Sequence, residues 1–319
     1  MKKVIISGAR RSGTHLLYRL LDGHDAIFNG VVEVYFLEYL EKLSPGSVEW
    51  FVDHFFAAPL GGLLDDFHER ELLPVLCDDD FMAGNGLPAG WKLDFDFDET
   101  RFSELLGARR ADADRSVEGI WDCWFDALAQ TLDNRADFAM TVAKSPDYGR
   151  SVVGAERFFD DFKAIFIVRD PVAAISSMRK LRRNQPHRWN LTTLRVLEEV
   201  ENYRFMHDTI LAIEKRRPGS IRVIRFEDLL NDAKAIVSGL ADFLEIEFSE
   251  RLVQPTLRGR DWGGDSSFGP LKGISRDPLD RAKSLVTEDE RALIGRCIPE
   301  FLERHRYSVE PTQVRSATR

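Results

Sequence analysis

Val4-Ile5-Ile6-Ser7-Gly8-Ala9-Arg10-Arg11-Ser12-Gly13-Thr14-His15-Leu16-Leu17-Tyr18-Arg19-Leu20-Leu21 opens the chain after three residues. Val4 to Ser7 is a short β-branched run that stops at glycine, which suits a strand buried on both faces. From Thr14 onward Leu16, Leu17, Leu20 and Leu21 recur at helical spacing. The stretch therefore predicts strand, tight loop, helix. Gly8 and Gly13 let the loop backbone turn its N–H groups inward. The helix N-terminus adds partial positive charge, so the loop suits a phosphate.

The same alternation continues along the chain. Phe138 to Ala143, Ala164 to Val168 and Ile221 to Phe226 are further apolar runs of strand length. After the second, Asp170 fits an N-cap and Pro171 a first helical residue, with helix through Val172 to about Lys180. A long helix is predicted from roughly Leu191 to Arg216, with Leu194, Leu197, Val200, Tyr203, Ile210 and Ile213 on its apolar side. Ala233 to Leu244 reads as another. Thr287 and Glu290 form a capping box before Leu293. Strands alternating with helices argue for one α/β domain over residues 1–319, a mostly parallel sheet covered on both faces. Residues 41–135 fit that pattern poorly. They are rich in aspartate and in aromatics (Trp50, Phe51, Phe55, Phe56, Trp91, Trp121, Trp124, Phe125) and read as a partly helical insertion forming a lid or acceptor wall.

Composition bounds the function. The 319 residues are 44% hydrophobic and 30% charged, so a core is available and wholesale disorder is excluded. A formal net charge of −9 argues against general nucleic-acid binding and leaves room for a local basic pocket. Cys77, Cys123 and Cys297 are far apart and outside any CxxC, as free thiols of a reducing compartment are. The N-terminal apolar run is too short for a signal peptide, and no window reaches the ~18 apolar residues of a membrane span. The expectation is a cytoplasmic protein. The seven histidines show no metal-ligand spacing. Asp94-Phe95-Asp96-Phe97-Asp98 reads as a half-buried strand in preference to a metal-holding DxD.

The loop has the GxxxxG spacing of ATP-binding phosphate loops, but Thr14 stands where their lysine belongs. The cation is instead Arg11. A second anion site is suggested by Arg169, at the end of its strand, and Ser177, eight residues on and two turns into the next helix. At the carboxyl end of a parallel strand both would face the same crevice. A competing reading takes Asp170 as a magnesium ligand after a buried strand, a pattern that Arg169 and Pro171 interrupt.

At these residues the chain resembles the sulfotransferases that use 3′-phosphoadenosine 5′-phosphosulfate (PAPS), bacterial and carbohydrate types in particular. IISGARRSGTHLLYRLL resembles their 5′-phosphosulfate loop, and IFIVRDPVAAISS their 3′-phosphate motif. AKSPDYGR, RFEDLL and GRDWGGDSSFG are similar to further segments of the family. The resemblance implies a P-loop-type three-layer α/β/α fold with about five strands. It also implies transfer of a sulfuryl group to a hydroxyl or amine of a carbohydrate, glycolipid or other metabolite, leaving 3′-phosphoadenosine 5′-phosphate (PAP). No metal is required by that scheme.

Residue by residue, the resemblance implies that Arg10, Arg11, Ser12, Gly13, Thr14 and His15 cradle the 5′-phosphate. Arg169 and Ser177 would bind the 3′-phosphate. Arg258, Arg260 and Trp262 would close over the nucleotide in a Gly-rich loop. Glu33, in Val32-Glu33-Val34-Tyr35-Phe36, is the implied base. It is also a charge in an apolar run, which is costly unless used or paired. Against this, Asn29-Gly30 is a hairpin signal that would leave Glu33 facing solvent. His15 is the second candidate base, and Lys144, at a strand end near the same crevice and placed to bridge donor sulfate and acceptor, is a third catalytic candidate. The basic cluster Arg179 to Arg183 reads equally as a solvated helix end or a grip for an acidic acceptor. The alternative class is a P-loop nucleotide kinase or a non-catalytic nucleotide-binding protein. The motifs leave acceptor and oligomeric state open.

Overall fold

The computed structural model describes residues 1–30, 33–69, 97–133, 135, 137–183, 192–262, 264, 273–276 and 285–309. Five strands form one sheet: β1 (Lys2–Gly8), β2 (Ile27–Asn29), β3 (Met140–Ser145), β4 (Lys163–Val168) and β5 (Ile221–Arg225). Their order is β2-β3-β1-β4-β5, and every pairing is parallel. β1 is central, with Ile5 paired to Ala143 on one side and Ala164 on the other.

Alternation along the strands divides the core into two layers. Val4, Ile6, Val142, Ile165 and Ile167 pack with helices α1 (Thr14–Leu20), α10 (Phe226–Asn231) and α11 (Ala233–Leu244). Ile5, Ala143, Phe166 and Val168 pack with α6 (Val117–Asp133), α7 (Arg150–Phe158), α8 (Pro171–Arg183) and α9 (Thr193–Arg216). This is the expected three-layer α/β/α arrangement. Helices α2 (Phe36–Glu41), α3 (Pro45–Ala57), α4 (Leu60–Glu69) and α5 (Glu99–Asp112) come between β2 and α6, and α12 (Glu288–Cys297) and α13 (Pro299–His305) close the described chain. Among the described residues no helix is long and apolar enough to cross a membrane.

Several expectations change in detail. Asn29-Gly30 makes no hairpin: β2 is a parallel edge strand, and neither residue has the positive φ that such a turn needs. The stretch 41–135 is not uniform. Its last helix, α6, buries Trp121 and Trp124 completely and covers the sheet, with Trp121 Nε1 donating to Thr141 Oγ1 at 3.1 Å. On α9 the apolar side holds from Val200 to Ile213, but Leu194 is 73% exposed and Leu197 38%. Asp98 caps α5 through the Arg101 N–H. Cys77, Trp91 and Asp94 to Asp96 lie outside the described residues. Cys123 is buried, Cys297 half-buried, and both are free thiols.

Candidate active site

The loop between β1 and α1 is shaped by close neighbours. A Cβ on Gly8 would stand 2.4 Å from the Ile167 carbonyl oxygen, so only glycine fits against β4. Gly13 has φ 97°, and a Cβ there would lie 2.2 Å from the Phe226 ring. Ser12 N donates to the Ala9 carbonyl at 3.1 Å. Arg11 takes φ 63°, a left-handed conformation costing a non-glycine residue about 1–2 kcal/mol. Ser12 and Thr14 are buried, His15 half-buried and Arg10 exposed. The Ser12 hydroxyl is buried with no hydrogen-bond partner.

The structure brings Arg169 and Ser177 to this loop. Arg169, 5% exposed, donates from Nη1 to the Arg11 carbonyl at 2.6 Å, and its guanidinium lies 4.6 Å from the Phe226 ring centroid. Arg11 Nε donates to Ser177 Oγ at 3.4 Å. Burial lowers the Arg169 pKa, Glu227 opposes that, and Arg11 adds to it. The Nε of Arg169 is buried and unpartnered. A buried guanidinium and a buried hydroxyl with spare donors suit an anion with several oxygens, as phosphate is. Asp170 is used otherwise: its carboxylate accepts from the Val172 N–H at 2.9 Å and the Ala173 N–H at 3.4 Å, capping α8. The expected N-cap is therefore observed.

Glu33 lies on the other side of the loop. Tyr18 OH donates to the Gly30 carbonyl, and Asn29 Nδ2 donates to the Tyr18 carbonyl at 2.6 Å. Val34 N donates to the Lys144 carbonyl at 3.0 Å. These bonds seat the segment against β3. Lys144 follows Val142 at the two-residue strand period, so it points to the α1 side. There its buried ammonium donates to Glu33 Oε1. Tyr35 OH donates to Glu33 Oε2, and His15 Nε2 stands 3.5 Å from Oε1. Burial by itself would raise the Glu33 pKa. The charges of Lys144 and His15 and the hydrogen bonds from Lys144 and Tyr35 reverse this and hold it at about 2. Glu33, His15 and Lys144 thus form one cluster, with Tyr35 a member that sequence reasoning passed over.

Asp147 was also missed. It accepts from Ser7 Oγ at 2.6 Å, from the Gly149 N–H at 3.1 Å and from the Ser151 N–H at 2.7 Å, tying the end of β1 to the start of α7. Tyr148 N donates to the Gly8 carbonyl at 3.1 Å. The turn residues in Ser145-Pro146-Asp147-Tyr148-Gly149 were the available signal.

Arg258, Arg260 and Trp262 are placed elsewhere. Thr256–Leu257 and Arg260–Asp261 pair as a small antiparallel hairpin, β6 and β7. Its turn residues Arg258 and Gly259 have φ 52° and 72°. Thr256 Oγ1 donates to Asp22 Oδ2 at 2.6 Å, and the Gly259 N–H to the same oxygen at 3.0 Å. Arg258 Nη2 donates to Asp133 Oδ1 at 2.5 Å and to the Leu132 carbonyl at 2.6 Å. Asp22 follows the C-terminal end of α1, roughly 12 Å along the axis from Thr14 at ~1.5 Å per residue. Asp133 ends α6, ahead of the amino end of β3. The hairpin is thus anchored at the end of α1 remote from the β1–α1 loop. Arg260 is exposed and Trp262 half-buried, its N–H donating to the Pro255 carbonyl at 3.1 Å. Arg179, from the basic cluster, is held by Glu290 at 2.6 Å and the Leu285 carbonyl at 2.5 Å, which ties α8 to the segment around α12.

Residues 3–250 match the model of the sulfotransferase family. No curated protein sequence matches the chain significantly. Among solved structures, the sulfotransferase domain of the Synechococcus PCC 7002 olefin synthase is similar at 20% identity. It gives a TM-score of 0.59 over 98% of this chain and 96% of that one. The sulfotransferase domain from the curacin biosynthetic pathway is similar at 20% identity, with a TM-score of 0.55 over 97% and 99%. At that identity the likeness concerns the fold.

Proposed function

This chain belongs to the sulfotransferase family and is a sulfotransferase; from that premise we propose that its donor is PAPS and its acceptor a hydroxyl or amine of a carbohydrate, glycolipid or other metabolite. The observation that carries the donor is the convergence of Arg169 and Ser177 on the Arg11 loop, two cations and a hydroxyl around one crevice. An ADP-type nucleotide has no 3′-phosphate for the second cation to meet.

In this reading the acceptor oxygen or nitrogen attacks sulfur in line as the bond to the 5′-phosphate oxygen breaks. The electron pair leaves on PAP and the acceptor proton goes to Glu33. The protein positions the reactants and stabilises charge. Arg11 neutralises the leaving phosphate as a fixed charge, because arginine does not give up its proton. Ser12, Gly13, Thr14 and His15 cradle the same group. Glu33 is a poor base while Lys144 sits on it. An anionic sulfonate competes for that ammonium, which removes the largest lowering influence on Glu33 and leaves burial to raise its proton affinity. Lys144 then serves both the donor and the base.

The test is calorimetric binding of PAP against ADP and ATP, each with magnesium and with chelator. Preferential PAP binding that ignores magnesium is the expected result. Magnesium-dependent ATP binding with no preference for the 3′-phosphate would return the chain to a kinase-like reading.

A further inference from the structure

Arg225-Phe226-Glu227 carries no role in the scheme above, yet it stands behind both phosphate-facing groups. Phe226, buried at 6% exposure, begins α10 directly after β5. Its ring lies 4.6 Å from the Arg169 guanidinium carbon. The Cδ2 and Cε2 edge of the same ring would come 2.2 and 2.5 Å from a Cβ on Gly13. One rigid side chain therefore packs against the residue that precedes α1 and the residue that follows β4.

We propose that Phe226 is a positioning residue that sets the span between the two phosphate subsites, with Arg169 on its face and Gly13 against its edge. The inference rests on reading Arg169 as the ligand of the 3′-phosphate. The hydrogen bond from Arg169 Nη1 to the Arg11 carbonyl fixes the guanidinium at one point, and the ring fixes it at a second. Flanking residues hold the ring itself. Glu227 Oε1 accepts the Asp170 N–H at 3.1 Å, and Oε2 accepts from Tyr307 OH at 2.7 Å. The Arg225 guanidinium lies 4.7 Å from the Tyr307 ring. The segment is thus clamped between the start of α8 and the residues after α13. A ligand bearing one phosphate cluster is indifferent to that span, whereas PAP must satisfy both ends together.

The experiment is a double-mutant cycle on nucleotide binding. Phe226→Leu is expected to weaken PAP by about tenfold, the scale of a desolvated cation–π contact, and ADP by no more than about twofold. Phe226→Tyr should restore the preference, because the ring is kept. In an Arg169→Ala background Phe226→Leu should weaken PAP itself by no more than about twofold, whereas a general loss of packing would weaken it there as much as in the wild type. Phe226→Met, close in volume and without a ring, serves if the leucine variant folds poorly. If Arg169→Ala leaves the ratio at its wild-type value, the reading of Arg169 itself fails. If Arg169→Ala collapses the ratio while Phe226→Leu and Phe226→Met weaken both nucleotides alike, or neither, that reading stands and the positioning role of Phe226 is refuted.

Discussion

Two groups of arginines look alike along the chain and differ in space. Arg11 and Arg169 flank the loop at the carboxyl ends of β1 and β4. Arg258 and Arg260 belong to a hairpin anchored at the other end of α1. Arg11 lies between Gly8 and Gly13, Arg258 and Arg260 flank Gly259, and both groups belong to segments that resemble nucleotide-binding motifs. What separates them is the partner each side chain meets. Arg258 meets the Asp133 carboxylate at 2.5 Å, and Arg179 meets Glu290. Arg169 meets a carbonyl oxygen and an aromatic ring and keeps a buried Nε unpartnered. A carboxylate ends an arginine's usefulness to an anionic ligand; a carbonyl only orients it.

Lys144 tests that rule hardest, because it meets the Glu33 carboxylate and the proposed mechanism still uses it. Glu33→Gln should cut turnover by about 10²–10⁴-fold, the usual scale for a general base, with PAP affinity nearly unchanged. Retained turnover would remove Glu33 from the mechanism and leave its pair with Lys144 purely structural. The pH profile sharpens the point. With its pKa at about 2 in the donor-free protein, Glu33 stays ionised throughout the ordinary range, so it sets no acid limb on kcat/KM between about pH 4 and 7. Once donor competes for Lys144 the pKa rises, and the acid limb of kcat should lie above that of kcat/KM. One shared limb near about pH 6.5, the ordinary imidazole range, would move the role to His15.

The arginine comparison itself is broken or kept by two substitutions measured together. Arg169→Ala should weaken PAP by about 10–100-fold, as loss of a charge-assisted bidentate donor does, and ADP by less than about threefold. Arg258→Ala should change either nucleotide by less than about threefold, because the side chain is spent on Asp133. Equal losses in the two variants would place the hairpin over the nucleotide after all.

The smallest effect on the site belongs to the tie between α8 and α12. Glu290→Gln should lower stability by about 1–3 kcal/mol without changing the PAP-to-ADP ratio, read by thermal melting and calorimetry. Hydrogen bonding to Arg179 outweighs burial and holds Glu290 at about 2, below its unfolded value of about 4.3. The pair's contribution is therefore complete above about pH 4.3 and fades as pH falls toward about 2. A melting temperature that fell between pH 8 and 6 in the wild type, and not in the variant, would contradict that sign.

Much of the frame was legible because it is local. The apolar run Val4 to Ser7, the glycines at 8 and 13, the Asp170 cap and the Thr287–Glu290 capping box depend on residues a few positions apart, and each is present. The edge strand β2 was not legible. It has three residues, and its Asn29-Gly30 end imitates a hairpin until β3 pairs with it in parallel. Leu194 and Leu197 repeat the apolar period of α9 beyond the point where anything covers them among the described residues.

By itself the sequence determined the alternation of strand and helix, the glycine-bounded loop between β1 and α1, and the arginine that follows β4. Those features follow from backbone periodicity and glycine geometry, which act over a few residues. Only the tertiary structure decided what the charged side chains do. Lys144 reaches Glu33 across 111 residues, Arg169 reaches the Arg11 carbonyl across 158, and Arg258 reaches Asp133 across 125. Charge partners are chosen by which chain ends the sheet order brings together, and no local pattern carries that order.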